Sequence, residues 1–112
     1  MNNVQLVGRV AIEPKLRTTG KGKPYMRLVL AVDGYWDRRE KQMTVDFIPI
    51  KLWQREATRC QHLVKGSLVS VVGRVSVAQY PGKDGGTEYV TEIIGEKIQF
   101  LSKPKSVKEA AG

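Results

Sequence analysis

From Tyr25 to Asp33 the chain reads Y-M-R-L-V-L-A-V-D, with Met26, Leu28, Leu30 and Val32 at every second position. Side chains of a strand alternate between two faces, so a strict period of two dictates a strand with one buried face. The period recurs along the chain. A strand over about Asn3 to Glu13 puts Val4, Leu6, Val10 and Ile12 on one parity. Another over about Ser67 to Tyr80 does the same with Val69, Val71, Val75 and Val77, and a last one runs from about Glu88 to Leu101. Gly8 and Gly73 fall inside two of these strands, where a bulge or sharp bend is expected.

The remaining strand reads T-V-D-F-I-P-I-K-L-W from Thr44 to Trp53. Ile48, Ile50 and Leu52 make an ordinary core face. The opposite parity carries Val45, Phe47, Lys51 and Trp53. Pro49 cannot donate to a sheet ladder, so this strand is expected at an edge or bulged there. Before it, G-Y-W-D-R-R-E-K-Q-M reads as a loop or the tip of a long hairpin. After it, Gln54 to Lys65 reads as a helix, with Ala57, Cys60, Leu63 and Val64 on one side and K-G as its stop. T-T-G-K-G-K-P and P-G-K-D-G-G-T are turns.

Three strands, a helix and two strands suit an all-β fold: a five-stranded Greek-key barrel of the OB type, with one short helix between strands three and four. Bending glycines suit such a barrel's curvature. The pattern alone leaves other small barrels open. The expected domain spans residues 1–102, with a flexible polar tail over 103–112.

Charge narrows the partner. Nineteen Lys and Arg stand against 11 Asp and Glu, a net +8 on 112 residues. A small domain this basic is expected to meet a polyanion rather than merely to stay soluble. No apolar run is long enough to span a membrane, and the N-terminus lacks the shape of a secretory signal. Cys60 is the only cysteine, which excludes an internal disulfide and suits a reducing cytoplasm.

The aromatic and basic residues interleave. Flat base faces of single-stranded nucleic acid stack on aromatic rings without regard to sequence, and phosphates need Lys or Arg nearby. Phe47, Lys51, Trp53 and Arg55 supply this pattern. Trp36 sits among Arg38, Arg39 and Lys41, Tyr80 precedes Lys83, and Lys15, Arg17, Lys21 and Lys23 surround the first turn. A lone aromatic pair in a strand is more often core. Here the opposite parity already supplies a complete aliphatic face, so the second apolar face needs a partner, nucleic acid or protein. Tyr25 and Tyr89 read as structural, and Tyr80 fits hairpin packing as well as binding.

Chemistry of other kinds finds little footing. His62 is the sole histidine and lies two residues from Cys60, a spacing that shares no helix face and makes no zinc site. Asp33, Asp37 and Asp46 form no acid–base or metal pattern, and no phosphate-cradling glycine loop occurs. No enzyme activity, metal or cofactor is expected.

The stretches N-N-V-Q-L-V-G-R-V, V-D-F-I-P-I-K-L-W, L-V-K-G-S-L-V-S-V-V-G-R-V and Y-V-T-E-I-I-G-E-K-I-Q-F-L resemble the bacterial single-stranded-DNA-binding protein family, over residues 2 to 101. The resemblance implies an OB-fold that assembles as a homotetramer and is wrapped by single-stranded DNA during replication, recombination and repair. It implies a cytoplasmic, nucleoid-associated location. The family's stacking aromatics match Trp36, Phe47, Trp53 and Tyr80, and two of its basic positions match Arg9 and Arg55. With Lys15, Arg17 and Lys51 these make the expected nucleic-acid-binding set. Three features depart from the family: S-V-A-Q-Y lacks basic residues before Tyr80, the loop from Asp33 to Val45 is short, and K-P-K-S-V-K-E-A-A-G is not the family's acidic tip. Recruitment of proteins through such a tip is therefore not expected. Two other readings fit stacking and charge: an RNA-binding OB module, and an adaptor like the primosomal OB proteins, whose aromatic face meets protein.

Overall fold

The computed structural model describes residues 1–104. The strands are β1 (Val4–Val10), β2 (Leu16–Thr18), β3 (Pro24–Asp37), β4 (Gln42–Trp53), β5 (Leu68–Pro81) and β6 (Thr87–Ser102), with α1 (Gln54–Arg59) between β4 and β5. They form one sheet in the order β1-β5-β6-β4-β3-β2, and β1 also pairs with β3. That extra pairing, Arg9 with Ala31 and Val10 with Leu30, closes β1, β3, β4, β5 and β6 into a five-stranded barrel. The expected OB-type barrel is therefore the observed fold. The short β2 is an addition that the sequence pattern did not announce. Of the tail expected over 103–112, all but Lys103 and Pro104 lies outside the described residues.

Alternation fills the barrel as anticipated. Met26, Leu28 and Leu30 of β3 and Leu52 of β4 are fully buried, with Ile50, Val69 and Val71 beside them. Ala57, Cys60 and Leu63 close one end. Ile12 departs from its assigned parity and is exposed, because β1 ends at Val10. Val75 and Val77 are exposed as well, although they continue the parity of Val71. Strand β6 meets β4 only at Ile50–Ile93 and Lys51–Ile94. Beyond that point the β5–β6 hairpin leaves the barrel as a free arm, and its inner parity has no core to face.

The two strand glycines act differently. A Cβ on Gly8 would lie 2.5 Å from the carbonyl oxygen of Ala31, so this glycine permits the close approach of β1 to β3 at the closure. The β1–β5 register runs through Gly8 without a break, so of the two expected irregularities, a bulge or a sharp bend, the bulge is absent there. At Gly73 the β5–β6 register does shift, as expected of a bulge.

Two boundaries differ from expectation. The helix predicted over Gln54 to Lys65 stops at Arg59. Past it, Gln61 N–H donates to the Thr58 carbonyl and Leu63 N–H to that of Cys60, so the chain tightens into three-residue turns. Ala57, Cys60 and Leu63 are spaced by three, which these turns serve, and Val64 is left exposed. The segment around Trp36 is strand on both sides of a short turn, the long-hairpin alternative. Pro49 pairs with Val29 of β3, and no β6 partner stands opposite it, which is the edge-like position its missing N–H requires.

Candidate nucleic-acid interface

The outer parity of β4 carries Phe47, Lys51 and Trp53, and the strand registers show what lies beside them. Tyr25 pairs with Trp53, Arg27 with Lys51 and Ala31 with Phe47. One strand further, Arg17 of β2 pairs with Tyr25. Directly paired residues share a face, so Arg17, Tyr25 and Trp53 form a row across three strands. The Tyr25 and Trp53 rings are 5.6 Å apart between centroids, tilted by 39°. Lys51 Nζ stands 4.7 Å from the Trp53 ring centre and 5.4 Å from that of Tyr25. Each such cation–ring contact contributes about 0.5–1 kcal/mol near a surface. Phe47 is 66% exposed, which no core role explains.

The free arm forms the second wall. Its Glu92 lies 3.9 Å from Lys51 Nζ and accepts a hydrogen bond of 3.2 Å from the Tyr80 hydroxyl. The negative charge of Glu92 is the main reason the Tyr80 phenol is held above its ordinary pKa. Between the walls runs a groove of roughly 310 Å³, lined by Tyr25, Arg27, Pro49, Lys51, Glu92 and Ile93 among others. A second hollow, roughly 510 Å³, joins Trp53 to Thr19, Gly20, Lys21 and Lys23 of the first turn. A ring and cations thus line each hollow, Tyr25 with Arg27 and Lys51 in the first and Trp53 with Lys21 and Lys23 in the second, an arrangement suited to holding bases and phosphates together.

Trp36 reaches this face through an irregularity. Asp33 pairs with Val45, but the next pair is Trp36 with Met43, so β3 carries one extra residue. Met43, Val45 and Phe47 share a parity, and the bulge brings Trp36 to their side. Thr44 holds the bulge: its hydroxyl accepts from the Tyr35 N–H at 2.8 Å and donates to the Tyr35 carbonyl at 3.0 Å. Trp36 itself is 55% exposed.

The other expected residues are less central. Arg9 is half-buried, and its guanidinium donates to the Gly66 carbonyl at 2.8 Å, which gives it a structural task at the barrel closure. Lys15 is exposed just before β2, two residues from Arg17, and Arg55 is exposed in the first turn of α1. Sequence reasoning set Tyr25 aside as structural and did not single out Arg27 or Glu92. Their place depends on strand register, and only the alternation of Tyr25 and Arg27 opposite Met26 and Leu28 hinted at it. Among the described residues no three of His, Cys, Asp or Glu are grouped to hold a metal, and no helix is long and apolar enough to cross a membrane.

Known proteins share this chain's pattern. The profile described as the Single-strand binding protein family matches residues 1–101. The chain is 42% identical to Single-stranded DNA-binding protein 3 of Clostridium acetobutylicum, over 90% of this chain and 71% of that protein. It is 37% identical to Single-stranded DNA-binding protein of Bacillus cereus, over 100% of this chain and 66% of that one. It is 39% identical to Single-stranded DNA-binding protein 3 of Listeria innocua serovar 6a, over 95% and 67%. The chain therefore spans about two thirds of the length of these relatives.

Proposed function

The chain belongs to the single-strand binding protein family, and from that premise we propose how its surface takes a single strand of DNA. The protein binds single-stranded DNA, and replication, recombination and repair are the settings that fit the family. Bases stack on Trp53 and, along the same face, on Phe47, Trp36 and Tyr80. Tyr25 braces Trp53 or takes a base itself. Arg17, Lys51, Arg27, Lys15 and Arg55 neutralise phosphate, with Arg9 the least available of the basic set. The observation that carries this reading is the row Arg17, Tyr25 and Trp53 with Lys51 over both rings.

Duplex DNA hides its base faces and binds far more weakly on this reading. The protein is a binder without catalysis: the groove offers rings and cations, and the one acid lining it among the described residues, Glu92, is engaged by Tyr80 and Lys51. Residues 1–102 serve as the binding domain. Assembly as a homotetramer in the cytoplasm is part of the same proposal. Its support is the family membership itself, and the exposed Val7 on β1 offers an apolar contact to a second copy. Trp53→Ala tests the groove. In a folded variant, affinity for oligo-dT falls by about 1–3 kcal/mol, the worth of one stacked base. Unchanged affinity would remove Trp53 from the interface.

A further inference from the structure

Glu92 is an acid on the wall of a groove that is to receive an acid. On the outward parity of the β5–β6 arm, Tyr80, Ala78 and Ser76 of β5 stand with Glu88, Val90 and Glu92 of β6. Tyr80 reaches back from the arm's far end to donate to Glu92 Oε1 at 3.2 Å, while Glu92 Oε2 faces Lys51 Nζ at 3.9 Å. The two charged side chains are three-quarters buried, 26% and 22% exposed. Lys51 is also held against the Tyr25 and Trp53 rings. The cation at the middle of the groove is thus already matched with a carboxylate while no strand is bound.

We propose that Glu92 is a masking residue: its carboxylate occupies Lys51 in place of phosphate, so that Lys51 adds no full counterion site when single-stranded DNA binds. The proposal rests on the groove reading above. The hydrogen bond from Tyr80 keeps the carboxylate aimed at Lys51 and ties the arm's aromatic to the strand-face aromatics. Ion pairs of this partly exposed kind are weak, so the mask tempers attraction without blocking the groove. Its effect is on the balance of forces. Stacking on Trp53 is left intact while one phosphate contact is reduced, so binding depends more on bases and less on charge than a +8 chain would otherwise show.

The test is the salt dependence of oligo-dT affinity for the full chain and for Glu92→Gln, which keeps the shape and the acceptor for Tyr80 and removes the charge. Each phosphate neutralised on a single strand contributes about 0.7 to the slope of log affinity against log salt. Unmasking Lys51 steepens that slope by about 0.7 per groove engaged, which is about 2.6-fold more affinity lost between about 50 and 200 mM salt. Glu92→Gln accordingly binds more tightly at low salt, and in a Lys51→Ala background the substitution leaves the slope alone. Should Glu92→Gln fail to fold, Glu92→Asp withdraws the carboxylate by one methylene and shifts the slope in the same direction. An unchanged slope overturns the mask, as does equal steepening with and without Lys51. Trp53→Ala, measured alongside, separates the two ideas. If it weakens binding while Glu92→Gln changes nothing, the groove stands and the mask falls. If Trp53→Ala binds as the parent does, the groove reading fails and takes the mask with it.

Discussion

Trp53 and Lys51 stand out in the sequence because each breaks an otherwise aliphatic strand on the same parity, and Phe47 joins them for the same reason. Tyr25 did not stand out. Its importance comes from facing Trp53 across β3 and β4, and register is a long-range property that local alternation does not report. Tyr25→Ala is expected to weaken oligo-dT binding by about 1 kcal/mol, the lower end of a stacking contact, measured by calorimetric titration. An unaltered affinity would return Tyr25 to a purely structural part. Cys60 was legible as a small core residue, and burial, aided by Glu56, pushes its thiol from 9.0 up to about 11. The folded state therefore keeps the proton longer than the unfolded chain. That contribution is complete below pH 9 and is lost as pH rises toward about 11. Unfolding measured across that window should show a shallower loss of stability in Cys60→Ala than in the parent, and equal slopes would contradict the shift.

At the scale of elements, the strands were legible where alternation is strict and less so where geometry intervenes. The three-residue turns after Arg59 satisfy the same apolar spacing that suggested a longer helix, so composition could not separate them. The bulge between Asp33 and Trp36 is marked in the sequence only by Gly34. It depends on the Thr44 hydroxyl from the opposite strand, nine positions from its partner Tyr35, a distance that turn rules do not weigh. Glu92 was illegible for a similar reason: it matters only once the pairing of Ile93 with Ile50 sets β6 beside β4. Gly73 was read correctly as a place of irregular backbone, and its contact is severe. A Cβ there would stand 2.1 Å from the Ile94 carbonyl oxygen, so Gly73→Ala must push β5 from β6. Overpacking of this kind costs about 1–3 kcal/mol, read as a lowered urea midpoint. A variant as stable as the parent would mean that the strands do not approach so closely.

For the whole molecule, the order of strands and helix pointed to the five-stranded barrel, and the barrel explains why the odd face of β4 is available. The core takes one parity, and closure through β1 and β3 leaves the other turned outward between β2 and the β5–β6 arm. The +8 charge gives this outer surface a long-range attraction for any polyanion. On the proposed reading the rings supply what charge alone lacks, a preference for bases that are free to stack. Trp36 and Trp53 are the chain's only tryptophans, and both stand on the outward parity of the β3–β4 hairpin, so the protein carries its own reporters of the central claim. The decisive measurement is tryptophan fluorescence during titration with oligo-dT at two salt concentrations, with duplex DNA as the control. Saturating quenching that weakens with salt and is absent with duplex is the predicted result. Binding without quenching, or equal quenching by duplex, would contradict a stacking interface. No binding at low salt would leave the aromatic face to a protein partner.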